Sequence, residues 1–126
     1  MNLESKKFIA IASVFGALAV GLGAFGAHAL KTQLVAAGRL DTYHTAVLYQ
    51  FIHTLAIFIT ALLINSIANK WFVRAAWSFA AGIVIFCGSL YVLCLSGITI
   101  LGAITPIGGV LFILGWIFLL LGVAKK

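Results

Sequence analysis

The sequence predicts an all-α fold, a bundle of four helices embedded in a membrane, and three observations predict it. Apolar residues make up 64% of the 126 and charged residues 8%, against roughly 45–50% and about 25% in a soluble domain. A chain this apolar has too little polar surface to cover itself in water. Four apolar stretches, at about residues 8–30, 44–68, 75–97 and 106–124, each exceed the roughly 18 residues needed to span a bilayer. Backbone groups in lipid must bond internally, so such runs fold as helices; the ten-residue alternation of a membrane barrel is missing. The length fits a single membrane domain over residues 1–126. An ordinary soluble enzyme, a disordered chain and a disulfide scaffold are excluded.

The first span follows Lys6-Lys7 and is rich in small residues. Ala12, Gly16, Ala19, Gly23 and Gly26 form one narrow helical stripe, and small residues let backbones approach closely in lipid. Ala10, Ala17, Gly21, Ala24 and His28 lie roughly opposite. A helix smooth on two sides is expected at the centre of the bundle. Lys6-Lys7, an apolar run and Ala27-His28-Ala29 also imitate a signal peptide. The run is longer than the 7–15 residues usual for a signal core, which favours a retained span.

The connection at 31–43 is polar and is expected to form a short interfacial helix with Leu30, Leu34 and Ala37 on one face. Asp41 or Thr42 is expected to cap the second span. The next connection, 69–74, carries Lys70, Trp71 and Arg74. The third span has a stripe of Ser78, Gly82, Ile85, Ser89, Val92 and Ser96, and Gly97 fits its C-terminus. The uncharged connection 98–105 is expected to pack on the bundle, with Thr105 and Pro106 as cap and first helical residue of the fourth span. Gly108, Gly115 and Gly122 then recur every seven residues, a period that suits left-handed packing at about +20°.

The net charge of +6 records orientation. The bases occur as isolated pairs between apolar blocks, with no stripe for phosphates, so nucleic acid is not a partner. Lys6, Lys7, Lys70, Arg74, Lys125 and Lys126 share one side; Lys31 and Arg39, offset by Asp41, take the other. This asymmetry places both termini in the cytoplasm. Trp71 and Trp77 suit the inner aromatic belt and Tyr43 the outer one. The partners read from the sequence are the lipid bilayer and a second copy of the chain in a homo-oligomer.

Polar groups inside a membrane call for a functional hypothesis. His28, His44, Tyr49, Gln50, His53, Ser89, Tyr91 and Thr105 gather toward the outer face. Two readings stand open: a small polar pocket, or fasteners that satisfy one another across the bundle. A metal or haem site is disfavoured, because His44 and His53 fall on opposite helix faces and no cysteine or carboxylate completes a ligand set. Cys87 and Cys94 are about 10 Å apart along one helix, too far for a disulfide. No nucleophile, base and orienting group coincide, so no catalytic residue and no cofactor is expected. The spans contain no acidic residue, which argues against carboxylate-driven antiport.

Four ordered motifs, Gly23-Ala-Phe-Gly-Ala-His28-Ala-Leu, Thr45-Ala-Val-Leu-Tyr-Gln50-Phe-Ile-His53, Gly88-Ser-Leu-Tyr91 and Leu101-Gly-Ala-Ile-Thr-Pro106-Ile-Gly-Gly109, resemble the YgdD-like family of small membrane proteins, a domain-of-unknown-function family. The resemblance covers nearly the whole chain, with a departure at Tyr43-His44, where many relatives carry a tryptophan. It implies a four-helix integral membrane protein of a bacterial cytoplasmic membrane and brings no activity or catalytic residue. The expected function is therefore non-enzymatic, acting through helix association or by holding a small ligand or lipid. The alternative is a small oligomeric transporter or channel that uses the outer polar cluster.

Overall fold

The computed structural model describes residues 1–124; Lys125 and Lys126, two of the bases counted above, lie outside the described residues. The elements are α1 (Leu3–Ala27), α2 (Lys31–Ala36), α3 (Leu40–Ser66), α4 (Lys70–Gly82), a π-helical turn (Ile83–Cys87), α5 (Gly88–Ser96), a 3-10 turn (Thr99–Ala103) and α6 (Thr105–Ala124). Four helical runs, Leu3–Ala27, Leu40–Ser66, Lys70–Ser96 and Thr99–Ala124, are long and apolar enough to cross a membrane. The fold is a four-helix membrane bundle.

The first and third spans begin earlier than their apolar runs because asparagines cap them. Asn2 caps α1 by accepting from the Ser5 N–H at 2.8 Å, and Asn69 caps α4 by accepting from the Trp71 N–H at 2.9 Å. Lys6, Lys7, Lys70 and Arg74 are helical in consequence, with long stems that carry their charges outward. The expected cap at Asp41 or Thr42 does not form. Gly38, at φ +69, ends the turn after α2, and the Arg39 N–H bonds back to the Leu34 carbonyl at 2.9 Å. The chain re-enters helix at Leu40, leaving Asp41 inside the first turn of α3, where a negative charge suits the helix dipole. Within α2 and its flanks, Leu34 is fully buried and Leu30 partly so, whereas Ala37 is exposed. Gly97 closes α5 in the left-handed region at φ +75.

Each long helix packs on the next: α1 on α3, α3 on α4, and α4 on α6. The helix expected at the centre is therefore at the edge. α1 uses one small stripe against α3, with Ala12, Ala19 and Gly26 buried, Gly16 facing Thr54 and Gly23 facing Val47. Its opposite set points outward: Ala10, Ala17, Ala24 and His28 are exposed. Smoothness on two sides does not require two partners when lipid can cover one of them.

The α4–α6 seam has a different construction. A Cβ added to Gly122 would lie 2.5 Å from the Phe72 ring, and one on Gly115 would lie 2.5 Å from the Phe79 ring. One on Gly108 would lie 2.3 Å from the Phe86 backbone nitrogen. Three phenylalanines seven apart thus sit over three glycines seven apart, in antiparallel register. Gly82 reverses the roles by receiving Phe112 at 2.5 Å. Dispersion across such close contacts holds membrane helices together. The π-helical turn shifts the phase of the third span, so the expected stripe splits: Gly82 and Ser89 are buried while Val92 and Ser96 are exposed.

Polar links fasten the ends. The Asn2 N–H donates to Asn65 Oδ1 at 2.8 Å, and Asn69 Nδ2 donates to the Gly122 carbonyl at 2.8 Å; this is the terminal end of the bundle. At the far end, Arg39 Nη1 donates to the Leu93 carbonyl at 3.3 Å. Tyr43, expected in the outer aromatic belt, is instead fully buried. Its ring lies over Gly26 and its hydroxyl donates to the Leu22 carbonyl. The missing side chain at Gly26 makes room for it.

Candidate functional site

The eight polar positions singled out in the sequence do not line one pocket. They separate into three bonded groups and two exposed histidines. Gln50 is 2% exposed and spans the bundle: its Nε2 donates to the Phe15 carbonyl of α1 at 2.8 Å, and its Oε1 accepts from the Tyr91 hydroxyl of α5 at 2.6 Å. Both ends of the amide are used, as burial in an apolar medium demands. Ser89 and Thr105 share a 2.6 Å hydrogen bond between α5 and α6. Ser89 is also within 3.0 Å of the Phe86 carbonyl and Thr105 within 3.3 Å of the Leu101 carbonyl. His28 and His44 are exposed at the far end.

Tyr49 and His53 form the third group. His53 sits at the midpoint of α3, deeper than the outer half where the sequence alone had set the polar cluster. Its Nε2 receives the Trp116 indole N–H at 3.1 Å, and its Nδ1 lies 2.8 Å from the Tyr49 carbonyl. Indole nitrogen only donates, so Nε2 must be the acceptor and Nδ1 must carry the proton. Both nitrogens are occupied by the protein itself. The imidazole lies flat on Phe112, centroids 3.7 Å apart and planes within 10°, while Trp116 stands on edge to it at 5.8 Å. Trp116 and Phe112 reach His53 from α6, signals that residue spacing within the second span could not carry.

These side chains floor a groove. The helix pairs that pack closely do not include α3 with α6, and aromatic side chains bridge the gap instead. The resulting groove, about 470 Å³, is lined by Tyr49, His53, Phe86, Phe112 and Trp116, with Pro106 and Gly109 toward the far end. Its volume lies within the roughly 300–1,000 Å³ typical of ligand pockets. Tyr49 stacks on Phe86 at 4.8 Å and remains 38% exposed. Its hydroxyl has no hydrogen-bond partner among the described residues. A second hollow of about 540 Å³ lies at the terminal end between Asn2, Asn65, Asn69 and Lys70. Cys87 and Cys94 are free and buried and line neither.

Residues 22–109 match the family described as "Protein of unknown function (DUF423)", a stretch that contains all four motifs quoted above. The chain belongs to this family. It is 45% identical over 121 residues to "UPF0382 membrane protein YwdK" of Bacillus subtilis (strain 168), covering 95% of this chain and 98% of the relative. It is 44% identical to the UPF0382 membrane protein SAB0533 of Staphylococcus aureus (strain bovine RF122 / ET3-1), covering 95% and 97%. It is also 44% identical to SSP2132 of Staphylococcus saprophyticus, covering 95% and 98%. No solved structure matches. The relatives are named as membrane proteins and the family carries no assigned activity, in accord with an integral membrane protein of unknown function.

Proposed function

We propose that this protein is a non-enzymatic binding module of the cytoplasmic membrane, a single membrane domain that holds a small apolar ligand or lipid in the lateral groove between α3 and α6. The groove itself carries the reading: about 470 Å³ lined mainly by aromatic side chains, with a few polar atoms on its floor, has the composition of ligand pockets in general. The interior polar groups support fastening over conduction, because Gln50, Tyr91, Ser89 and Thr105 bond to one another and to backbone. Lys6, Lys7, Lys70 and Arg74 cluster at the terminal end, which supports cytoplasmic termini. The ordered motifs support a place among the YgdD-like members of the family.

Brominated phospholipid in nanodiscs tests the groove. Tryptophan fluorescence from a Trp71→Phe/Trp77→Phe background reports Trp116 alone. Quenching is expected, and it should fall when Gly109→Leu fills the groove; Gly109 has room, its nearest neighbour being Phe86 at 3.9 Å. Equal quenching in both proteins would show that lipid does not enter. Native mass spectrometry from mild detergent reports retained ligand and oligomeric state together. The outward small-residue face of α1 favours a homo-oligomer, which a strictly monomeric spectrum contradicts.

A further inference from the structure

Resting on the groove reading, we propose that the occupant is a quinone-class ring lipid, a neutral planar ring with hydrogen-bond acceptors on an apolar tail, which presents an acceptor to the Tyr49 hydroxyl. Three observations carry this. The first is depth. Tyr49 lies nine residues into α3, about 14 Å below its start by helical rise. α3 is longer than the roughly 30 Å hydrocarbon core, so Tyr49 lies within the outer part of the core, past the head groups and the ester carbonyls at its boundary, where acyl chains bear no acceptor. A neutral ring that dissolves in the core brings a carbonyl to that depth.

The second observation is that the donor is left over. The other polar atoms on the floor satisfy one another: Trp116 Nε1 donates to His53 Nε2 at 3.1 Å, and His53 Nδ1 is held by the Tyr49 carbonyl at 2.8 Å. The Tyr49 phenol alone has no partner among the described residues, and a polar group without a partner in hydrocarbon is costly. The third is the lining. The Tyr49 and Phe86 rings lie 24° from parallel, and Phe112 and Trp116 continue an aromatic wall. Aromatic faces favour a flat, polarised ring over a saturated chain.

The test uses the full chain in nanodiscs, with Trp116 as the sole tryptophan, titrated with a short-chain naphthoquinone and a short-chain benzoquinone. Saturable quenching is expected, with Kd about three- to tenfold weaker in Tyr49→Phe, the range of one membrane hydrogen bond. Quinone retained by the unaltered protein in native mass spectrometry and depleted in Tyr49→Phe supports the same conclusion without relying on the tryptophan background. Equal affinity in Tyr49→Phe, or binding no stronger than that of a saturated alcohol of equal length, overturns the ring assignment. The brominated-lipid arm separates the two readings. Quenching that Gly109→Leu abolishes keeps the groove while the ring fails; no effect of Gly109→Leu on either probe removes both.

Discussion

Phe112 lies face to face with His53, ring centroids 3.7 Å apart, and also meets the bare backbone of Gly82, where a Cβ would come within 2.5 Å of the ring. A glycine on α4 thus fixes the height of a ring on α6, and that ring is the platform for an imidazole on α3. Gly82→Ala is expected to push Phe112 off His53 and to destabilise the bundle by about 1–3 kcal/mol, the usual range for overpacking. Gly21→Ala is the control. Nothing lies within 4 Å of its Cβ position, so the change should be neutral or stabilising by up to about 1 kcal/mol through helix propensity. Thermal unfolding in detergent micelles compares the two. Equal losses at both positions would mean that glycine matters here for reasons other than the Phe112 contact.

The tautomer of His53 follows from its partners and is directly observable. With Trp116 donating to Nε2, the ring proton belongs on Nδ1, shared with the Tyr49 carbonyl. Imidazole ¹⁵N chemical shifts of selectively labelled protein are expected to show a single Nδ1–H species. Trp116→Phe removes the donor and leaves Nε2 exposed to the groove. A second tautomer should then appear, or a water or ligand donor should replace the indole. An Nε2–H majority in the unaltered protein would contradict the hydrogen bond from Trp116.

Much of this architecture was legible in the residues because membrane helices obey a strong constraint. Four apolar runs can do little in lipid but span it, and Gly97 announced its own left-handed cap. The glycine heptad of the last span could be read as close packing, but its partner could not. Phe72, Phe79 and Phe86 are lost in a span where nearly every residue is apolar, and only the antiparallel register reveals them opposite Gly122, Gly115 and Gly108. The π-helical turn at Ile83–Cys87 left no residue signature, so a stripe drawn at constant phase across it divided. Burial of Tyr43 was hidden for a related reason: an aromatic residue near a span end suits the interface by depth alone, and only Gly26 on a different helix makes an interior place for it. Tyr49, Gln50 and His53 are consecutive in register on α3, yet they serve different partners, because α1, α5 and α6 approach α3 from different sides.

Gln50 and Tyr91 should be energetically coupled. Gln50→Leu leaves the Tyr91 hydroxyl without its acceptor, and Tyr91→Phe leaves Gln50 Oε1 without its donor. Tyr91→Phe is expected to cost less in the Gln50→Leu background than alone, since it then removes an already orphaned hydroxyl, while Gln50→Leu carries the loss of the Phe15 bond in either background. A double-mutant cycle in micelles should return a coupling of about 0.6–1.7 kcal/mol, the measured span for interhelical hydrogen bonds in membranes. Additive losses would indicate that the bond is exchanged for other partners when broken.

Tyr43 and Gly26 offer a test of whether the short loop at the far end is held by shape or by hydrogen bonding. A Cβ on Gly26 would lie 2.3 Å from Tyr43 Cε1, while the Tyr43 hydroxyl donates to the Leu22 carbonyl one turn earlier. Gly26→Ala should cost about 1–3 kcal/mol by overpacking. The same change in a Tyr43→Leu background should be nearly silent, because the ring that it strikes is gone. Tyr43→Phe removes the hydrogen bond and keeps the ring, so Gly26→Ala should remain damaging there. If the alanine is equally harmful in all three backgrounds, the glycine is required for the approach of the α1 and α3 backbones and not for the ring. Denaturant unfolding of the six proteins in one detergent decides it, since the bonding and steric contributions then fall on separate axes of the comparison.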